Sequence, residues 1–191
     1  PCPAAYFMDA SPTTSSDRAC APCFAGWFKA TPGNEICSAW RTCPVGHGQA
    51  QAGSPATDRV CSACTEGVTF SPAVSGAVCT AVAAPCAIGE YRSKPPTASS
   101  NRVCEACGAG QFKAHAGNGA CVSWSICPAG EGMSKAGTAS SDRRCALCMG
   151  ATYSPTSDDA PCLDVSEPCE AGSFMVQAPD RFADRVCASC A

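Results

Sequence analysis

Residues 20–61 read CAPCFAGWFKATPGNEICSAWRTCPVGHGQAQAGSPATDRVC. Cys20 and Cys23 are separated by two residues, Cys37 follows after thirteen, Cys43 after five, and seventeen residues lead to the next pair at Cys61. The pattern returns at Cys61, Cys104 and Cys145 and, truncated, at Cys187, in steps of 41, 43, 41 and 42 residues. A fixed period of this size marks an array of similar units.

Composition says what must hold such a unit together. The chain has 191 residues, of which 19 are cysteine, and 7% are aromatic. Leucine occurs only at Leu147 and Leu163, and most of the 46% counted as hydrophobic is Ala and Cys. Units so short and so poor in large side chains cannot stabilise themselves by burial, so covalent links must substitute. This level of cysteine implies a disulfide scaffold and a location outside the cytosol, extracellular or at the cell surface. Pro1-Cys2-Pro3 is neither a charged start nor an apolar run, which reads as a mature or excised segment. The least polar stretch, 78–88, is short and interrupted by Pro85, so no membrane span is expected. A net charge of −3 without a basic cluster argues against nucleic acid.

The chain divides into a C-terminal half-repeat (1–19), four repeats (20–60, 61–103, 104–144, 145–186) and the start of another (187–191). Repeats 20–60 and 104–144 align without gaps at an offset of 84, with about 19 of 41 positions identical, including Phe28-Lys29-Ala30 against Phe112-Lys113-Ala114 and Trp40 against Trp124. We call these type A. Repeats 61–103 and 145–186, type B, have six rather than five residues between their third and fourth cysteines and carry Val82 or Val165 in place of the Trp. No sustained helical period appears, and Gly, Pro, Ser and Asn recur every ten residues or so. The expected fold is small, disulfide-rich and mostly irregular, with short β-ribbons in an elongated rod of tandem repeats. Glycines three positions after a cysteine (Gly26, Gly46, Gly67, Gly89, Gly110, Gly130, Gly172) are expected to take positive φ in tight turns. The aromatics that often follow (Phe28, Tyr91, Phe112, Phe174) are expected to lie over disulfides.

Four cysteines per repeat allow three connectivities, and spacing alone does not choose. Counting orphans does. Sequential pairing gives Cys2–Cys20, Cys23–Cys37, Cys43–Cys61, Cys64–Cys79, Cys86–Cys104, Cys107–Cys121, Cys127–Cys145, Cys148–Cys162 and Cys169–Cys187, leaving Cys190 unpaired or intermolecular. Pairing confined to each set of four strands three. Each sequential bridge closes a loop of roughly 15–19 residues, for which chain entropy gives about 3 kcal/mol. Tetrahedral zinc on thiolates is the rival, but zinc sites usually draw a second tight knuckle that this spacing lacks. No cofactor or metal is expected.

Two segments carry more than cysteine spacing: CSAWRTCPVGHGQAQAGSPATDRVC (37–61) and CVSWSICPAGEGMSKAGTASSDRRC (121–145). C-x2-W-x2-C, an Ala-Gly-Ser/Thr turn, and Asp three positions before the closing cysteine resemble the tumour necrosis factor receptor cysteine-rich repeat, in the variant whose second half has a single disulfide. The resemblance implies modules stacked end to end and agrees with sequential pairing. Alternate repeats depart from it at Val82, Val165 and Asn101.

Catalytic chemistry has little to use: His47 and His115 sit at non-equivalent positions and read as surface histidines, so no enzyme is expected. Asp17-Arg18, Asp58-Arg59, Asn101-Arg102, Asp142-Arg143 and Asp184-Arg185 recur before closing cysteines. The Asp suits turn-organising N–H acceptance, and the Arg can reach a neighbouring repeat or a partner. Asp158, Asp159, Asp164 and Glu167 fit no calcium loop and read as a solvated acidic face. Trp40 and Trp124 are expected to shield disulfides at repeat junctions. Trp27, replaced by Gln111 in the equivalent repeat, is a candidate contact together with Phe28, as are Arg59, Arg102, Arg143 and Arg185. There is no N-glycosylation sequon, but Thr13, Thr14, Ser15, Ser16, Thr97, Ser99 and Ser100 suit O-linked glycans. The functional expectation is an architectural subunit of a filament, appendage or coat, a homo-oligomer built from copies of itself. The competing expectation is a receptor ectodomain that binds a protein ligand along its side.

Overall fold

The computed structural model describes residues 1–190; Ala191, the end of the 187–191 fragment, lies outside them. Its buried apolar residues are all cysteines: Cys2, Cys43, Cys86 and Cys127 are at most 1% exposed, and Cys23, Cys37, Cys64 and Cys148 are also buried. Large apolar side chains such as Phe24, Ile36 and Met149 lie outside. Sulfur thus fills the interior that Leu and Phe fill in an ordinary domain.

The bonds are Cys2–Cys20, Cys23–Cys37, Cys43–Cys61, Cys64–Cys79, Cys86–Cys104, Cys107–Cys121, Cys127–Cys145, Cys148–Cys162 and Cys169–Cys187, and Cys190 is free and exposed. Each bridge belongs to one two-stranded antiparallel ribbon, and two kinds alternate. Long ribbons pair Tyr6–Ala10 with Ala19–Pro22, His47–Gln51 with Val60–Ala63, Glu90–Lys94 with Val103–Ala106, Glu131–Lys135 with Arg144–Leu147, and Ser173–Gln177 with Val186–Ser189. Short ribbons pair Trp27–Phe28 with Ser38–Ala39, Thr69–Phe70 with Thr80–Ala81, Gln111–Phe112 with Val122–Ser123, and Thr152–Tyr153 with Leu163–Asp164. Hairpins this small are marginal in water without a staple. The described residues contain no helix, hence none long and apolar enough to cross a membrane. Two compact units result, Pro1–Ala84 with Lys94–Val103, and Pro85–Ser93 with the chain from Cys104 onward.

A tight turn opens each long ribbon. In Pro44-Val45-Gly46-His47 the His47 N–H donates to Pro44 O at 3.0 Å, and Gly46 has φ 77°, the positive value that the third turn position requires. The expected glycines all have positive φ, and Gly117 and Gly150 join them. At the first turn the position falls to Ala5, which holds φ 69° against the steric cost of its Cβ.

Successive ribbons are tied through one backbone position. Lys29 N–H donates to Pro55 O, and Lys29 O accepts from Ala5 N–H, each at 2.9 Å. The same pair of bonds recurs at Ser71 (with Ala98 and Gly46), Lys113 (with Ala139 and Gly89) and Ser154 (with Arg181 and Gly130). These four are the buried polar residues of the described chain. In type A the side chain fills the junction as well. Lys29 Nζ donates to Tyr6 O at 2.7 Å, to Cys2 O at 3.5 Å and to Gly33 O; Lys113 Nζ donates to Glu90 O at 2.6 Å, to Ala87 O at 3.5 Å and to Gly117 O. Carbonyl dipoles take the place of water around each buried ammonium. In type B the hydroxyls of Ser71 and Ser154 reach only Ala73 O and Thr156 O.

The alternation of types has a steric origin. Where a long ribbon meets a following type B ribbon, Gly48 and Gly132 lie flat against the next disulfide: a Cβ would stand 2.3 Å from Cys79 N or 2.2 Å from Cys162 N. Before a type A ribbon the same strand position holds Phe7 or Tyr91. One junction is therefore closed by glycine and the other left open around an aromatic ring.

Candidate functional site

The first open junction forms an apolar cleft of about 270 Å³ lined by Phe7, Phe24, Trp27, Ile36 and Cys37. Phe7 and Phe24 stack at 6.0 Å between ring centroids with a 41° tilt. Phe24 is 72% exposed, Ile36 78% and Trp27 44%, so these groups face solvent rather than a core. The turn at Gly26 and the short ribbon Trp27–Phe28 with Ser38–Ala39 set Trp27 beside them. Strand alternation sends Phe28 to the opposite face, where it is half-buried. Phe70, Phe112 and Tyr153 occupy its place in the other repeats. Of the two aromatics expected at an interface, Trp27 lines the cleft and Phe28 does not.

The arginine row is turned inward instead of outward. Arg59 lies over the Trp40 ring at 5.7 Å from its centroid and donates through Nε to Gln49 Oε1 at 3.0 Å and through Nη1 to Arg41 O at 2.9 Å. A Cβ on Gly76 would strike this guanidinium at 2.3 Å, so the arginine bears on the next repeat. Arg143 lies over Trp124 at 5.5 Å, pairs with Asp159 at 3.4 Å, and has a side chain only 8% exposed. Arg102 and Arg185 are half-buried beside their closing cysteines. Arg18, at the first junction, donates to Asn34 Oδ1 at 3.1 Å.

The tryptophans serve that stack. A Cβ on Gly53 would lie 2.5 Å from the Trp40 ring and one on Gly137 2.4 Å from Trp124, while the indole N–H groups donate to Ser54 O and Thr138 O, both at 3.1 Å. What faces each indole is a glycine on one side and a guanidinium on the other, rather than the expected disulfide.

The aspartates before the arginines each bridge two strands of chain. Asp58 Oδ1 accepts from the N–H groups of Arg41 and Arg59, Asp142 Oδ1 from Ser125 and Arg143, and Asp184 Oδ1 from Ser166 and Arg185. Asn101 Oδ1 does the same for Ala83 and Arg102, so the amide keeps the acceptor that the role needs. The Arg41 guanidinium holds the Asp58 carboxyl below the usual carboxylate range, and the hydroxyls of Ser125 and Ser166 do so for Asp142 and Asp184.

The remaining candidates have local partners. Asp158 accepts from Thr156 Oγ1 and Ala160 N–H, and Asp159 faces Arg143. His47 Nδ1 lies 3.4 Å from Val45 O. Thr13 and Thr97 hydroxyls accept backbone N–H groups of Ser15, Ser16 and Ser99 inside the ribbon-tip turns. Ser54 and Thr138 repeat this turn, and Asp180 substitutes its carboxylate in the last ribbon. Sequence reading missed the junction lysines; their recurrence in Phe28-Lys29-Ala30 and Phe112-Lys113-Ala114 was the available signal.

Residues 107–145 match the TNFR/NGFR cysteine-rich region. No curated protein sequence matches the chain. A chain of the human RANKL/OPG complex is similar at 21% identity, covering 96% of this chain and 98% of that one with a TM-score of 0.39. A chain of the mouse RANKL–OPG complex is similar at 22% identity, covering 70% and 96% with a TM-score of 0.33. With nine disulfides in sequence order, alternating ribbons and that match, the chain is a tandem array of tumour necrosis factor receptor-like cysteine-rich repeats.

Proposed function

We propose that this chain is part of an extracellular, non-enzymatic ectodomain of the receptor type, which binds a protein ligand on its flank. The observation that carries the reading is uneven decoration of a duplicated frame. The two type A repeats share cysteines, junction lysine, tryptophan and Asp-Arg pair, yet Phe24, Trp27 and Ile36 stand where the second has Gly108, Gln111 and Ala120. A frame repeated for self-assembly has no use for a single apolar cleft, whereas a ligand contact needs only one. The match of 107–145 to the TNFR/NGFR region supports the same reading. O-linked glycans on exposed tip hydroxyls such as Thr14 and Ser99 belong to the proposal.

The 84-residue duplication favours a second reading, an architectural subunit that associates with its own copies. Light scattering after size exclusion, with electron microscopy of the concentrated protein, separates the two. The receptor reading expects single particles at every concentration. Filaments or growing polymers would replace it with the architectural one.

A further inference from the structure

The cleft at the first open junction has a chemistry of its own. Its walls are carbon and sulfur: Phe7, Phe24, Trp27, Ile36 and the half-cystine Cys37. At the second open junction the corresponding residues are Tyr91, Gly108, Gln111 and Ala120, and the Tyr91 hydroxyl donates to Glu105 at 3.1 Å. The two places share a backbone and differ in what they could hold.

Charge around the first cleft is one-sided. Asp9 stands two residues from Phe7 and Glu35 adjoins Ile36; both are exposed, and neither is in an ion pair. The cations of this segment are engaged elsewhere. Lys29 is buried on carbonyl oxygens, Arg18 lies against Asp17 and Asn34, and Arg41 pairs with Asp58 at 2.7 Å. An apolar slot with carboxylates on its rim complements an apolar group with cations beside it.

We propose that the cleft of Phe7, Phe24, Trp27 and Ile36 takes one large apolar side chain of a protein partner, flanked on that partner by Lys or Arg facing Asp9 and Glu35. The assignment rests on the protein-binding reading and names the chemistry of its ligand. The apolar anchor supplies the contact, and the carboxylates choose among partners.

The test uses the whole chain, labelled with ¹⁵N, and follows the indole N–H resonances of Trp27, Trp40 and Trp124. Three capped peptides are titrated: Lys-Leu-Phe-Lys, Glu-Leu-Phe-Glu and Lys-Ala-Ala-Lys. The first is expected to give a saturable shift at Trp27 alone, the second to bind about tenfold more weakly, and the third to give none. Phe24→Gly with Ile36→Ala installs residues that repeat 104–144 already carries, so the frame is expected to fold while the Trp27 shift is lost. Glu35→Lys, an exposed change, is expected to narrow the gap between the two charged Leu-Phe peptides. Absence of a saturable shift, equal binding of both charged peptides, or undiminished binding to the double variant would overturn the assignment. Sedimentation of the same samples keeps the two levels apart. A monomer that ignores the peptides overturns the cleft chemistry only, and a polymer overturns the protein-binding reading beneath it.

Discussion

Gly53 lies face-on against the indole of Trp40, so close that a Cβ at position 53 would sit 2.5 Å from the ring. Arg59 covers the opposite side at 5.7 Å, so the indole cannot retreat. Gly53→Ala is therefore expected to destabilise the chain by about 1–3 kcal/mol, the usual cost of overpacking. Gly137→Ala against Trp124 should do the same. Thermal unfolding of the oxidised protein measures this, and an unchanged midpoint would show that the stack is loose.

Lys113→Met should cost about 2–3 kcal/mol. The substitution keeps the side-chain length but leaves Glu90 O and Gly117 O, now bonded to Nζ, without a donor in a buried junction. Ser71→Ala removes a single hydroxyl bond and should cost about 1 kcal/mol. Denaturant unfolding of the two variants compares them, and equal costs would deny the ammonium its role.

Met133→Gln is expected to stabilise by about 1 kcal/mol. In the first type A repeat Gln49 satisfies Arg59 Nε, whereas Met133 stands at that position in the second and leaves Arg143 Nε buried without an acceptor. Gln49→Met should cost a similar amount. The pair is read by denaturant midpoints, and loss of stability in Met133→Gln would contradict the alignment of the two stacks.

The Asp142 carboxyl should titrate below its ordinary value of about 3.9, because the Ser125 hydroxyl and N–H groups of Ser125 and Arg143 favour the charged form. A group whose folded pKa is depressed contributes stability that is present above its unfolded pKa and lost as pH falls through the folded one. Stability should accordingly drop in acid below about pH 4. A ¹³C carboxyl titration checks the direction, and Ser125→Ala should move the midpoint upward. A midpoint at or above the ordinary value in the unaltered chain would refute the bridge.

Much of this was legible in the cysteines, because their spacing leaves few ways to close a short loop and nothing else in the composition can fill an interior. The alternation of types was legible as Trp40 and Trp124 against Val82 and Val165, but its steric basis was not. Gly48 and Gly132 look like any turn glycine until the next disulfide is seen against them. Lys29 and Lys113 escaped notice since lysine is ordinarily exposed, and only the folded backbone gathers the carbonyls that accept its protons. Ala5 escaped for the opposite reason, a residue that rarely takes positive φ standing where the pattern elsewhere has glycine. Trp27 was legible as an oddity of one repeat, while Phe7, Phe24 and Ile36 join it only through the ribbon geometry.

The central claim is that half-cystines, and not an apolar core, hold the fold. Full reduction, alkylation of every half-cystine and return to native buffer test it most directly, with the ¹⁵N–¹H spectrum as readout. The account predicts collapse of amide dispersion to that of an unfolded chain. A reduced, alkylated chain that keeps the dispersed spectrum of the oxidised protein would contradict it.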